Sequence, residues 1–146
     1  MSDRNKSILL VALQFGCISI LLAGSSFHKP AILPAAFFVP AVLLAIWAIV
    51  TMQKSKLRIF PEPAEHAVLI TNGPYRFIRH PMYTAVILGC IGLLIAHFTL
   101  LRLVVLMVLT AVLIFKLTWE EDMLLLKFKA YQQYRNRTSR LVPFLF

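Results

Sequence analysis

The stretch GPYRFIRHPMY, residues 73–83, separates two long apolar regions of the chain. It contains two prolines, and a helix is predicted to start at Pro81, because proline is favoured in the first turn of a helix. Arg79 and His80 then lie at the positive end of that helix, where free backbone N–H groups and cationic side chains can bind a carboxylate or phosphate. A second interpretation stays open here, since cations beside a membrane helix often serve only as topology anchors.

The composition is typical of an integral membrane protein. Of the 146 residues, 60% are hydrophobic, and the mean hydropathy of +0.80 is too high for an ordinary soluble domain. The net charge of +9 does not indicate nucleic acid as a partner, because the basic residues flank apolar runs instead of forming a face on a soluble module. Cys17 and Cys90 lie within apolar runs and His66 stands alone, so no disulfide and no metal site is predicted.

The apolar runs predict an all-α membrane fold with four transmembrane helices in a single domain, residues 1–146. The predicted spans are 8–24, 31–52, 81–98 and 100–118, with a cytoplasmic re-entry loop at 53–80 and a C-terminal amphipathic helix and tail at 119–146. The third span must be counted from Pro81 to be long enough to cross a bilayer. The first span also has features of a cleavable leader, but its length favours a retained helix. The apolar end at 141–146 is expected to lie on the bilayer surface.

Positive charge predicts the orientation. With four spans, thirteen of the fifteen Lys and Arg residues, all except Lys29 and Arg102, fall on the side that holds both termini. Basic residues accumulate in cytoplasmic loops, so both termini are predicted to be cytoplasmic. The membrane would be the plasma membrane in a bacterium and the endoplasmic reticulum in a eukaryote.

Three consecutive acids, residues 120–122, close the fourth apolar run. The return between the third and fourth spans is short, so these helices should be adjacent and antiparallel, which brings the acids to the same interface as the 73–83 stretch. The helix dipole disfavours acids at a helix C-terminus, so they need a cationic ligand or a partner. The two alternatives are a ligand site and a structural network with Arg76, Arg79 or Lys116.

These residues resemble a known family. Arg79, His80 and Pro81 with Tyr83, followed by a hydrophobic hairpin and a Glu-Glu pair, resemble the isoprenylcysteine carboxyl methyltransferases and related phospholipid methyltransferases. The GPY at 73–75 and the tail from Phe128 to Pro143 are also similar, so the resemblance covers about half the chain. Two departures are Ala85 and Lys129, which stand where the family usually has glycine.

The resemblance implies an integral membrane enzyme that uses S-adenosylmethionine, with the cofactor between the start of the third helix and the C-terminal helix. His80 and the backbone near Met82 and Tyr83 would hold its amino-acid part, and Glu120 or Glu121 its ammonium or ribose hydroxyls. The candidate cofactor-binding residues are Tyr75, Arg79, His80, Pro81, Met82, Tyr83, Glu120, Glu121 and Tyr131. Tyr75 and Tyr131 would flank the adenine or the sulfonium through their ring faces.

The acceptor is expected to be lipidic or hydrophobic and to enter from the bilayer. A carboxylate acceptor is already ionised and needs a cation, for which Arg135 or Arg140 is the candidate. An amine acceptor needs a base, for which Glu121 is the candidate. Carboxyl methylation of the isoprenylcysteine type is the predicted activity. Two other functions stay open: a non-catalytic accessory or transport protein, and a membrane reductase that uses a nicotinamide cofactor.

Overall fold

A computed structural model describes residues 3–23, 32–53 and 69–143. The elements in chain order are α1 (Asp3–Leu22), α2 (Ile32–Met52), a short 3-10 turn (Gly73–Arg76), α3 (Pro81–Ala96), α4 (Leu100–Lys127) and α5 (Tyr131–Arg135). The regular elements of the described residues are all helical, which confirms the predicted fold class. The segment between the first two predicted spans, most of the loop at 53–80 and His66 lie outside the described residues.

Three helices, α1, α2 and α4, are long and apolar enough to cross a membrane. The expected fourth span, α3, has only 16 residues and ends at Ala96, two residues earlier than predicted. The chain has to leave the helix there because the Thr99 side chain accepts a hydrogen bond from the Arg102 N–H and caps the start of α4. Length and composition therefore make three helices candidate membrane spans, and a fourth crossing by α3 stays a prediction.

The helices pack in two principal pairs, α2 against α3 and α1 against α4, with smaller contacts joining the pairs. Gly92 allows α3 to pack closely against α2, since a Cβ on Gly92 would lie 3.2 Å from the Phe38 ring. Cys17 and Cys90 are buried thiols in the core. Outward-facing apolar residues such as Leu43, 62% exposed, present a surface suited to lipid.

The turn before α3 depends on Gly73. Its φ of +59° is costly for residues that carry a Cβ, and a Cβ placed there would lie 2.6 Å from the Thr51 hydroxyl oxygen near the end of α2. The turn at this glycine is therefore held close against α2, and the nearby Tyr75 is buried.

The C-terminal segment returns to the start of α3. The N–H groups of Arg79 and His80 donate to the carbonyls of Ser139 and Arg140, at 2.8 and 3.0 Å. The Thr84 hydroxyl donates to the Leu141 carbonyl at 2.8 Å, and Leu141 is buried. Leu141 is therefore held against α3, and the expected placement of the apolar end on the bilayer surface stays a prediction. Residues 144–146 lie outside the described part.

Candidate active site

The Arg79 guanidinium is buried at the start of α3, with a side chain only 7% exposed. Its Nε donates to Glu121 Oε1 at 2.6 Å, and its Nη1 donates to the backbone carbonyls of Arg135 and Thr138. One side chain therefore joins α3, α4 and the C-terminal segment. A guanidinium suits this position because its donors point in several fixed directions.

Glu121 is paired with two guanidinium groups. Its carboxylate is 1% exposed, with Oε1 bound by Arg79 and Oε2 lying 3.2 Å from Arg140 Nε. Its burial is compensated because both oxygens are paired with cations. The alternative of a structural network with Arg79 is thus seen for Glu121. Taking up a proton or contacting a ligand would require one of these pairs to break.

His80 is the N-cap of α3, and its ring lies between the two glutamates. The His80 Nδ1 is 3.8 Å from Glu120 Oε2, and Nε2 is 3.4 Å from Glu121 Oε1. The ring stacks on Tyr83 at 5.4 Å between centroids. Nε2 is buried and lacks a well-directed hydrogen bond among the described residues, so its polar environment is the Glu121 carboxylate.

Glu120 differs from its neighbour. Its carboxylate is 23% exposed, and Oε2 accepts a hydrogen bond from the Tyr83 hydroxyl at 3.0 Å. It borders a small cavity of about 60 Å³. The lining residues are Met52, Tyr75, Arg79, His80, Pro81, Met82, Tyr83 and Glu120. All except Met52 belong to the predicted cofactor-binding set, so the fold brings these residues into one space.

Tyr131, also in that predicted set, does not line the cavity. It is 1% exposed, its hydroxyl has no hydrogen-bond partner among the described residues, and its ring contacts Tyr134 edge-on at 5.7 Å. Burial raises the pKa of the Tyr131 hydroxyl, so it remains neutral at physiological pH. The Tyr134 hydroxyl donates to the Tyr75 carbonyl at 2.7 Å and ties α5 to the turn before α3.

The predicted catalytic arginines lie on the C-terminal segment. Arg140 is bound to Glu121, whereas Arg135 contributes its backbone carbonyl to Arg79. Neither side chain lines the 60 Å³ cavity. Two residues were missed from the sequence: Met52, which lines the cavity, and Thr138, which accepts from Arg79. Nothing in the local sequence marks either one, since both act through contacts between distant segments.

A larger cavity of about 500 Å³ adjoins the small one. It lies among α1, α2, α3 and α4, and its lining is mostly aliphatic and aromatic. Met82 and Tyr83 belong to the walls of both cavities. A charged space and an apolar space therefore meet at the first turn of α3.

Fold and site together define an integral membrane protein of apolar helices with a charged cavity beside an apolar one. The sequence model described as phospholipid methyltransferase matches residues 30–131. The chain belongs to this family, which confirms the resemblance, and it is accordingly a membrane methyltransferase for lipid-type substrates. Comparison with curated proteins finds no match. The family match ends at Tyr131, so Arg135 and Arg140 lie beyond it.

Proposed function

We propose that the protein transfers the methyl group of S-adenosylmethionine to the carboxylate of a lipidic acceptor, of the isoprenylcysteine type, at the cytoplasmic membrane interface. The observation that carries the proposal is the junction at Met82 and Tyr83, where the charged cavity meets the apolar one. A cofactor with charged ends suits the first cavity and an acceptor with a hydrocarbon tail suits the second.

The residues around the small cavity fit the amino-acid end of the cofactor. The Glu120 carboxylate would bind the ammonium, and its exposed fraction leaves it accessible. The carboxylate of the cofactor would lie at the start of α3, near His80 and the Met82 N–H, which occupies a helix position without an intrahelical acceptor. A volume of 60 Å³ is far below the roughly 300–1,000 Å³ of a typical ligand pocket, so only this end of the cofactor would fit inside.

The bound cofactor supplies an electrophilic methyl group on a sulfonium. In the transfer, the carbon–sulfur bond breaks with its electron pair staying on sulfur, and a carboxylate oxygen forms the new bond to carbon. The products are a neutral thioether and a neutral methyl ester. No proton has to move, so the protein contributes alignment of the two reactants and exclusion of water.

The surroundings of Glu121 favour a carboxylate acceptor over an amine. An amine must lose a proton, and the predicted base is Glu121, whose two oxygens are both held by guanidinium groups. Arg135 and Arg140 stay predictions for the cation that orients a carboxylate. Neither lines either cavity, and Arg140 is already paired.

The proposal includes the membrane topology: one domain, residues 1–146, with four crossings and cytoplasmic termini. The third crossing, α3, extends for only about 24 Å at 1.5 Å per residue, so the bilayer would have to thin around it. A membrane-impermeant thiol reagent tests this in intact cells, because Cys17 and Cys90 are buried. Thr99→Cys should be labelled from outside and Thr71→Cys, on the other side of α3, only after lysis. Labelling of both from one side would contradict four crossings.

Cofactor binding is tested on the purified protein in nanodiscs. Saturable binding of labelled S-adenosylmethionine is expected, and Glu120→Ala should weaken it by about 10-fold or more, the value of a charge-assisted hydrogen bond. Asp122→Ala is the matched control, since Asp122 is an exposed carboxylate two positions along the same helix. A parallel titration with NADPH tests the reductase alternative. Absence of S-adenosylmethionine binding by the wild type would refute the proposed function.

The acceptor is tested with the methyl-labelled cofactor and two acceptors, a prenylated cysteine and phosphatidylethanolamine. Alkali releases methanol from a methyl ester but leaves an N-methyl group in place. The expected result is alkali-labile label on the prenylated cysteine. Alkali-stable label on phosphatidylethanolamine alone would overturn the carboxylate assignment while leaving the methyltransferase assignment intact.

A further inference from the structure

Lys116 is buried inside the helical bundle. Its residue exposure is 2%, although a lysine in a membrane helix usually extends its charge to the interface. It lies about 24 Å from the start of α4 and about 16 Å from its end at 1.5 Å per residue. The Lys116 Nζ donates to Gln14 Oε1 at 2.9 Å, and Gln14 is itself well inside α1. A cationic group is thus buried between α1 and α4, four residues before Glu120 on the same helix.

The same lysine lines the 500 Å³ apolar cavity. The polar side chains in that lining are Gln14, Tyr83 and Lys116, and the others are hydrocarbon or sulfur-containing. The Lys116 Nζ lies 5.4 Å from the centre of the Tyr83 ring. Tyr83 in turn donates to Glu120 at the border of the charged cavity. The lysine therefore occupies the polar end of the apolar cavity, next to the junction of the two spaces.

We propose that Lys116 binds the anionic head group of the acceptor, a carboxylate or a phosphate ester attached to an apolar chain that lies in the 500 Å³ cavity. This inference rests on the proposed function and names the residue that selects its substrate. Charge complementarity identifies the occupant: a buried ammonium is stabilised by an anion, and in an apolar surrounding that attraction is stronger than in water. A hydrocarbon chain matches the remaining walls.

The position of Tyr83 relates this binding to the transfer. With its ring beside Lys116 and its hydroxyl on Glu120, Tyr83 separates the proposed head-group site from the proposed cofactor site by one side chain. A head group held by Lys116 would thus be adjacent to the amino-acid end of the cofactor. Lys116 is a positioning residue in this scheme, and it was predicted from the sequence only as a topology determinant or as a partner of the acids.

The test measures binding to the full chain in phosphatidylcholine nanodiscs, with empty nanodiscs as background. The probes are radiolabelled palmitate, palmitoyl lysophosphatidate and palmitamide, which share one chain and differ in the head group. The wild type should bind the better of the two anions about 10-fold or more tightly than palmitamide. Palmitate as the better ligand identifies a carboxylate, and lysophosphatidate identifies a phosphate. Equal binding of all three probes would overturn the proposal.

Variants separate head-group binding from a structural role. Lys116→Met and Lys116→Gln should lose the preference for anions but keep the affinity for palmitamide, and Lys116→Arg should restore the preference. Gln14→Leu removes the hydrogen bond from Lys116 to α1 and leaves the ammonium, so the preference should persist. Lys127→Met is the control for loss of one positive charge on the same helix, at an exposed site. If Gln14→Leu loses the preference as Lys116→Met does, the lysine serves only to join the helices.

Binding of S-adenosylmethionine is measured on the same samples. Loss of the anion preference in Lys116→Met with cofactor binding retained supports the inference and shows that the variant is folded. Persistence of the preference in Lys116→Met refutes it without affecting the proposed function. A wild type that selects anions but does not bind the cofactor would refute the proposed function and leave the anion site standing.

Discussion

The two adjacent glutamates should respond differently to truncation. Glu121 is 1% exposed and bound by Arg79 and Arg140, whereas Glu120 is 23% exposed and borders the small cavity. Glu121→Ala leaves two guanidinium groups without their carboxylate. Glu120→Ala removes one acceptor from the Tyr83 hydroxyl and leaves the ion pairs in place. The first change should act on stability and the second on binding of the cofactor.

The magnitudes follow from burial. Breaking a buried ion pair costs about 3–5 kcal/mol, and the low end applies because Arg140 is 24% exposed and Arg79 keeps its carbonyl acceptors. About 3 kcal/mol corresponds to a fall in Tm of roughly 10 °C for a chain of this length. Loss of the single neutral-donor hydrogen bond in Glu120→Ala costs about 1 kcal/mol, or roughly 3 °C.

The assay is thermal unfolding in nanodiscs, followed by circular dichroism, alongside equilibrium binding of labelled S-adenosylmethionine. Glu121→Ala should unfold roughly 10 °C lower. Its residual binding at low temperature should exceed that of Glu120→Ala. Glu121→Gln keeps an oxygen acceptor for one arginine and should be intermediate in Tm. The reasoning is refuted if Glu121→Ala keeps the wild-type Tm and abolishes binding, since Glu121 would then contact the cofactor directly.

Three further predictions follow from single contacts. Gly73→Ala should lower the free energy of unfolding by about 1–2 kcal/mol, because Gly73 has a positive φ. Adding Thr51→Ala to this variant should recover part of the loss, since it removes the contact with the added Cβ. An unchanged Tm in Gly73→Ala would contradict this prediction. Tyr83→Phe removes the hydroxyl that orients Glu120, so it should weaken cofactor binding about 5-fold with little change in Tm. Wild-type affinity in this variant would contradict a role of the Tyr83 hydroxyl in orienting Glu120. Burial raises the pKa of the Tyr134 hydroxyl in the folded protein above its ordinary value of about 10. The stabilisation that comes from the neutral hydroxyl is therefore complete below a pH of about 10, and it is lost as the pH rises through the pKa of the folded protein. Denaturant titrations across that range should show the loss in the wild type and a smaller one in Tyr134→Phe, and equal losses would exclude Tyr134 as the cause.

The sequence was most informative where a local rule applied. Pro81 predicted the start of α3, and the structure places His80 at the N-cap. Seven of the nine candidate cofactor-binding residues line one cavity, because most of them are neighbours on a single short stretch that begins a helix. The end of α3 was misplaced because it depends on Thr99, whose capping hydrogen bond belongs to the next helix. Apolar composition does not specify which of several adjacent residues ends a helix.

Local sequence by itself determined that the chain is a helical membrane protein and that cations and acids meet at the ends of two adjacent helices. Long apolar runs joined by a short return are compatible with few arrangements other than adjacent antiparallel helices. Only the tertiary structure decided the separate roles of Glu120 and Glu121, which adjoin in the chain and share one chemistry. On a helix, successive residues point about 100° apart, so one carboxylate faces the buried arginines while the other faces the cavity. The surroundings of Lys116 were likewise decided only by the tertiary structure, because they depend on where α1 and α3 pack against α4.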